Sequence, residues 1–230
     1  MSMKRLVLLV EGDGDVAAAP ILAKRLLADY AAFDAVILDE RPFRVGEYSK
    51  ISKNGFSDWR RLLAAAAKKK DCAACVLLLD GDSRVRVDDQ PFCAMRAARH
   101  LAAEARKVGG GVRFSVAIGF ACMEFESWLI AGASSLVGKC FSDGRQVIAK
   151  MTTEVPPAPE SAPRDAKGWF RSAMGPGGYS PTRDQAELTR LIDLNAIRSR
   201  PMRSFRRLES ALAELVGAIR SGDHLVTPNC

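Results

Sequence analysis

Histidine is scarce in this chain, with two in 230 residues. His100 has no second histidine near it in sequence, so it reads as a packed or surface residue rather than a ligand. Of the six cysteines, only Cys72 and Cys75 share a short spacing, a single CxxC with no second pair to complete a zinc site. They flank the entry to an apolar run and read as small core residues rather than a redox pair. Cys93, Cys122, Cys140 and Cys230 stand alone, and the set suits a reduced, cytoplasmic protein. No uninterrupted apolar run reaches the ~18 residues that a membrane helix needs. The apolar stretch near the N-terminus is too short for a signal peptide and runs into acids. RNP motifs, zinc fingers and internal repeats are missing as well.

What is present suffices for a full core. Apolar residues make up 48% of the sequence, which suits one α/β domain or one domain with an extension. The formal net charge is +7 and the pI is near 9.3, a balance that suits a polyanionic partner.

Residues 4–10, KRLVLLV, predict a first buried strand, and residues 16–30 a helix with Pro20 in its early turns. The intervening EGDGD lacks the lysine and the glycine spacing of nucleotide loops, which argues against a phosphate cradle. A second strand is expected over 35–38, a polar connection over 39–58 that reads as a binding or solvated loop, and a helix over 58–70. Residues 76–80 then form a strand apolar on both faces. A helix over 91–108, a fourth strand over 114–118 and a helix begun by Trp128 follow. This alternation predicts an α/β fold with a mainly parallel sheet flanked by helices.

Three of the expected strands end in acids. Glu11 follows the first, Asp80 and Asp82 separated by Gly81 close the third, and Glu124 and Glu126 follow the fourth. Open α/β sheets bind ligands just beyond the carboxyl ends of their strands. Clustered carboxylate oxygens there suit a hard cation, Mg²⁺ or Mn²⁺. Capping explains any one acid alone, and it suffices for Asp15 as the helix N-cap or a residue beside it. Five carboxylates at three strand ends exceed what capping needs, and their repulsion demands a cation or shifted pKa values.

In this order the residues resemble Toprim domains, found in topoisomerases, bacterial primases and OLD-type nucleases. Glu11-Gly12, with Asp15 four residues on, is similar to their opening motif, and Asp80-Gly81-Asp82 to their DxD. Residues 124–128, EFESW, and a later Ser204-Phe205-Arg206 make the chain more similar still to Toprim-like prokaryotic proteins grouped as domain of unknown function 4276. That resemblance covers most of residues 4–215. It implies a Toprim/Rossmann-like fold, with Glu11 as general acid/base or metal ligand and Asp80 and Asp82 as metal ligands. A third acid often follows the DxD where this chain has Arg84, and Glu124 or Glu126 would take its place. Relatives encoded beside an ABC/AAA-type ATPase in anti-phage loci imply such a partner.

The expected organisation is a Toprim-like α/β core over 1–150, a Pro/Gly-rich linker or excursion over 151–183 and a basic helical part over 184–230. Helices are expected over 184–193 and 204–220, with Ser204 as N-cap and a stripe of Phe205, Leu208, Leu212, Leu215, Val216 and Ile219 facing the core. Residues 164–220 carry eleven basic side chains against six acidic ones. Arg198, Arg200, Arg203, Arg206 and Arg207 read as a patch for DNA or RNA phosphates or as a solvated face. Arg206 or Arg207 would then pair with Glu209 or Asp193.

These features lead to a divalent-metal-dependent, nuclease-type cleavage of phosphodiesters. A non-catalytic Toprim-like module binding nucleic acid or a partner ATPase is the alternative. A phosphatase with Asp80 as nucleophile and Asp82 as acid/base fits less well, because its DxD belongs on the first strand, where Glu11 stands.

Overall fold

The computed structural model describes residues 3–162, 165–175 and 177–229, so Cys230 and three residues of the Pro/Gly-rich stretch lie outside it. Strand β1 (Lys4–Val10) leads into helix α1 (Asp13–Asp29). Strands β2 (Val36–Leu38) and β3 (Phe43–Arg44) follow, then helices α2 (Tyr48–Ile51) and α3 (Lys53–Ala67). Strand β4 (Cys72–Asp80), helix α4 (Ala94–Lys107) and strand β5 (Ser115–Ala121) complete the centre of the sheet. Beyond β5 come α5 (Phe125–Ala131), α6 (Ala166–Met174), α7 (Ala186–Leu191), α8 (Leu194–Arg198) and α9 (Arg203–Ser221), and strand β6 (Val226–Thr227).

The sheet runs β2-β1-β4-β5-β6 and every strand pairing is parallel. β2 and β3 succeed one another along the same edge of β1. The apolar runs explain the layering, since alternate residues of a strand face opposite sides. Leu6, Leu8 and Val10 of β1 and Val76 and Leu78 of β4 enter one core, shared with α1, α5 and α9. Val7, Leu9, Leu77 and Leu79 enter the other, beneath α3 and α4. The first core gathers residues from Leu6 to Val216, so the C-terminal helices cover the sheet rather than hang from it. Among the described residues, no helix is long and apolar enough to cross a membrane.

The expected sheet and flanking helices are present, with local differences. The 39–58 connection contains β3 and α2, whose Tyr48 and Ile51 are buried in the second core. Asn54, Gly55 and Phe56 take left-handed φ values of 50°, 59° and 64°, so regular helix begins only beyond them. The 151–183 stretch holds α6, which buries Trp169, Phe170 and Ala173. The helix expected over 184–193 is instead a π-helical turn (Pro181–Gln185) running into α7.

Helix α9 buries the expected stripe but is capped differently. Met202 occupies the N-cap position, and the Glu160 carboxylate accepts the Arg203 and Ser204 amides at 2.8 and 2.7 Å. A carboxylate there answers both the orphan N–H groups and the helix dipole. Ser204 is released for another task. Its hydroxyl donates to Glu160 and accepts from the Trp128 indole at 2.8 Å and the Cys122 amide at 3.1 Å. Phe205, fully buried, meets the Trp128 ring edge-on with centroids 5.5 Å apart. Phe205→Ala is expected to lower unfolding free energy by about 3–5 kcal/mol, measured by urea denaturation.

Candidate functional site

Strands β1, β4 and β5 lie side by side and end at the same edge, Leu78 opposite Val10 and Asp80 opposite Ala121. Register therefore brings the acids that follow them together. Glu11 accepts the backbone N–H of Asp80 at 3.0 Å, and Asp80 in turn accepts that of Phe125, the first residue of α5, at 3.0 Å. Gly81 makes the turn between the two aspartates possible. Its N–H reaches the carbonyls of Ala121 and Met123, and a Cβ there would lie 2.9 Å from the Ala121 oxygen.

Asp15 joins the cluster, beyond the capping role expected of it. Gly12 is the N-cap of α1, and Asp15, the third helical residue, reaches back to accept the Gly12 amide at 3.0 Å and also accepts the Gln185 side-chain amide at 2.8 Å. Gly14 leaves room for that glutamine, because a Cβ would sit 2.0 Å from its Oε1. Two more groups come from the Pro/Gly-rich stretch. The Lys167 ammonium lies 2.7 Å from Glu124 and 3.6 Å from Glu126, and the Tyr179 hydroxyl donates to Glu126 at 2.9 Å.

Glu11, Asp80, Glu124 and Glu126 are thus brought together with Asp15, whereas Asp82 stands exposed at the rim, near enough for its charge to act on Glu11 and Glu124. Burial pushes the Glu11 carboxyl up to about 7, opposed by the Asp80 N–H and aided by the charges of Asp15 and Asp82. Asp80 is pushed well up by burial and by Asp15, Glu11 and Glu126. Burial also raises Asp15 and Glu124. For Lys167 burial works downward, but Glu126 and Glu124 outweigh it and hold its pKa above the usual value.

All these donors are oxygens, as a hard cation requires. Among the described residues, however, no three His, Cys, Asp or Glu side chains are placed to hold one ion. Lys167 supplies the positive charge between Glu124 and Glu126 instead. A divalent ion would be held by Glu11, Asp80, Asp82 and Glu124 only after those carboxylates drew together.

The arginine cluster is mostly committed to structure. Arg198 pairs with Asp29 and Glu209, Arg200 reaches the Pro156 carbonyl, and Arg206 reaches the carbonyls of Arg198 and Arg200. Arg207 pairs with Glu214 and Thr227. Glu209 is therefore taken by Arg198, not by the neighbouring Arg206 or Arg207. Within this cluster, the exposed Arg203 guanidinium alone has no hydrogen bond or ion pair to the described residues. His100 lies 3.2 Å from Asp88 on the surface of α4.

The fold and site define a class, a parallel α/β protein with a cluster of acids at the carboxyl ends of three adjacent strands. The family described as domain of unknown function (DUF4276) matches residues 10–213, and the chain belongs to it. No curated protein and no solved structure matches the chain.

A raised carboxyl pKa gives the pH dependence a definite sign. Between its usual 4.5 and about 7, Glu11 keeps in the folded state a proton the unfolded chain has lost. Stability therefore falls as pH rises through that window. At about 1.4 kcal/mol per pKa unit, the contribution of Glu11 is at most about 3 kcal/mol. Glu11→Gln is expected to remove that part of the decline, read from urea midpoints at the two ends of the window in metal-free buffer.

Proposed function

We propose that the protein is a Toprim-type, Mg²⁺- or Mn²⁺-dependent nuclease that cleaves phosphodiester bonds, acting in prokaryotic defence with a neighbouring ATPase. The observation that carries the cleavage reading is the convergence of Glu11, Asp80, Glu124 and Glu126 where β1, β4 and β5 end. A cation bound there would neutralise charge developing on a phosphoryl group and its attacking and leaving oxygens. The chain's own residues do the rest. Glu11, raised to about 7, is poised to take or give a proton near neutral pH. Asp80, fixed by the Phe125 amide, and Asp82 at the rim would offer oxygens to a cation held there. Tyr179 and Gln185 hold Glu126 and Asp15 in place, and Lys167 tempers the repulsion while the carboxylates are without a metal. The Toprim relation, the defence setting and the ATPase rest on the resemblance of the acidic motifs.

Lys167 favours a second reading. A lysine that supplies the missing charge permanently suits a non-catalytic module that binds nucleic acid or an ATPase. Calorimetry with Mn²⁺ and cleavage assays on DNA and RNA separate the two. Wild type is expected to bind Mn²⁺ and cut, Asp80→Asn to lose metal binding, and both Asp80→Asn and Glu11→Gln to lose about 100-fold or more in rate. Absence of Mn²⁺ binding and cleavage in wild type, alone and with the ATPase, would leave only the non-catalytic module.

Nucleic-acid binding itself is tested at Arg203. Arg203→Gln is expected to reduce the log–log salt slope of binding by about 0.7–0.9, the share of one phosphate contact. An unchanged slope removes Arg203 from the interface.

A further inference from the structure

Strand β4 begins irregularly. Its register against β1 slips between Arg5 and Leu6, which pair with Cys72 and Ala74, leaving one residue of β4 over. In a regular strand, side chains three residues apart point to opposite faces. The bulge cancels that alternation, and Cys72 and Cys75 both pack against the core beneath α3 and α4. Their sulfurs lie 3.8 Å apart.

The two thiols are unequal. Cys75 is fully buried, whereas Cys72 is half-buried and lines a cavity of about 170 Å³ with Lys68, Val108 and Arg113. Arg5 and Asp39 also act on Cys72, and Lys69 pairs with that aspartate. The Cys75 thiol beside it holds Cys72 below its usual pKa, while the same contact and burial push Cys75 well up. A half-buried thiol with a lowered pKa, lining a cavity and touching a buried second thiol, is the arrangement of an attacking and a resolving cysteine.

We propose that Cys72 and Cys75 are a redox-reactive dithiol that closes to an intrachain disulfide when a peroxide reaches the cavity. The Cys72 thiolate attacks one peroxide oxygen and the O–O bond breaks. The departing hydroxide takes up the proton Cys72 released, which gives a sulfenic acid and one water. The Cys75 sulfur then attacks that of Cys72, the S–O bond breaks, and the Cys75 proton leaves with the hydroxyl as a second water. Two thiols lose two electrons and one peroxide becomes two waters. Closing from 3.8 Å to the ~2.05 Å of a disulfide calls for rotation of the half-buried Cys72 side chain. Cys72 and Cys75 lie about 26 and about 17 Å from Asp80 by strand rise along β4, so the inference stands independently of the acidic cluster.

The test treats the whole folded protein with equimolar hydrogen peroxide, then denatures, alkylates and maps peptides by mass. The peptide holding both cysteines is expected to resist alkylation, to be lighter by two hydrogens and to recover on reduction with dithiothreitol. In Cys75→Ser, Cys72 is expected to stop at the sulfenic acid, trapped by dimedone. In Cys72→Ser, the buried Cys75 is expected to stay a thiol. Recovery of wild-type Cys72 and Cys75 as alkylated thiols, at a dose that fully oxidises glutathione, overturns the inference. So does Cys72 bridged to any other cysteine.

Discussion

Like charges gathered where water is sparse are the constraint on which the rest of this structure turns. Carboxylates at the ends of β1, β4 and β5 repel one another more strongly as the local dielectric falls. Each is answered by a specific partner. Backbone N–H groups of Asp80 and Phe125 serve Glu11 and Asp80, Gln185 serves Asp15, Tyr179 serves Glu126, and Lys167 serves both glutamates. The long segment between β5 and α7 thereby acquires a purpose, because it carries Lys167 and Tyr179 to the strand ends. Burial first, and the remaining repulsion after it, raises the pKa values of Glu11, Asp15, Asp80 and Glu124.

A second junction ties that segment to the sheet. Glu160 closes the N-terminus of α9, and Ser204 extends the contact to the Trp128 indole and the Cys122 amide just past β5. One carboxylate and one hydroxyl thus link the proline-rich stretch, α9, α5 and the end of β5. The donors of this junction are all satisfied beside a buried aromatic pair, while the neighbouring Ser127 hydroxyl is buried without a partner among the described residues.

The net charge of +7 does not translate into a free basic surface at the arginine cluster. Arg198 clamps α8 to α1 through Asp29 and to α9 through Glu209, and Arg207 fastens α9 to β6 at Thr227. Such guanidinium groups hold several donors in a fixed fork, and the helices α1, α8 and α9 that Arg198 ties together also share the first core. Arg203 is the exception, and it gives the protein a cation available to an outside partner.

The sequence by itself determined the strands, the two-sided burial of β4 and the acids at three strand ends, because those signals are local. An apolar run, a glycine between two aspartates and a helical stripe such as Phe205, Leu208, Leu212 and Leu215 act over a few residues. The two-residue strands β3 and β6 and the short helix α2 were too small to leave a periodic pattern. Only the tertiary structure decided which residues serve the acids and what the arginines hold. Lys167 and Glu124 are 43 positions apart, Gln185 and Asp15 170, and Arg198 and Asp29 169. The faces of Cys72 and Cys75 likewise depended on a bulge against β1 rather than on their own spacing. Side-chain pairing across such separations is set by how layers stack and strands register, which no local pattern encodes.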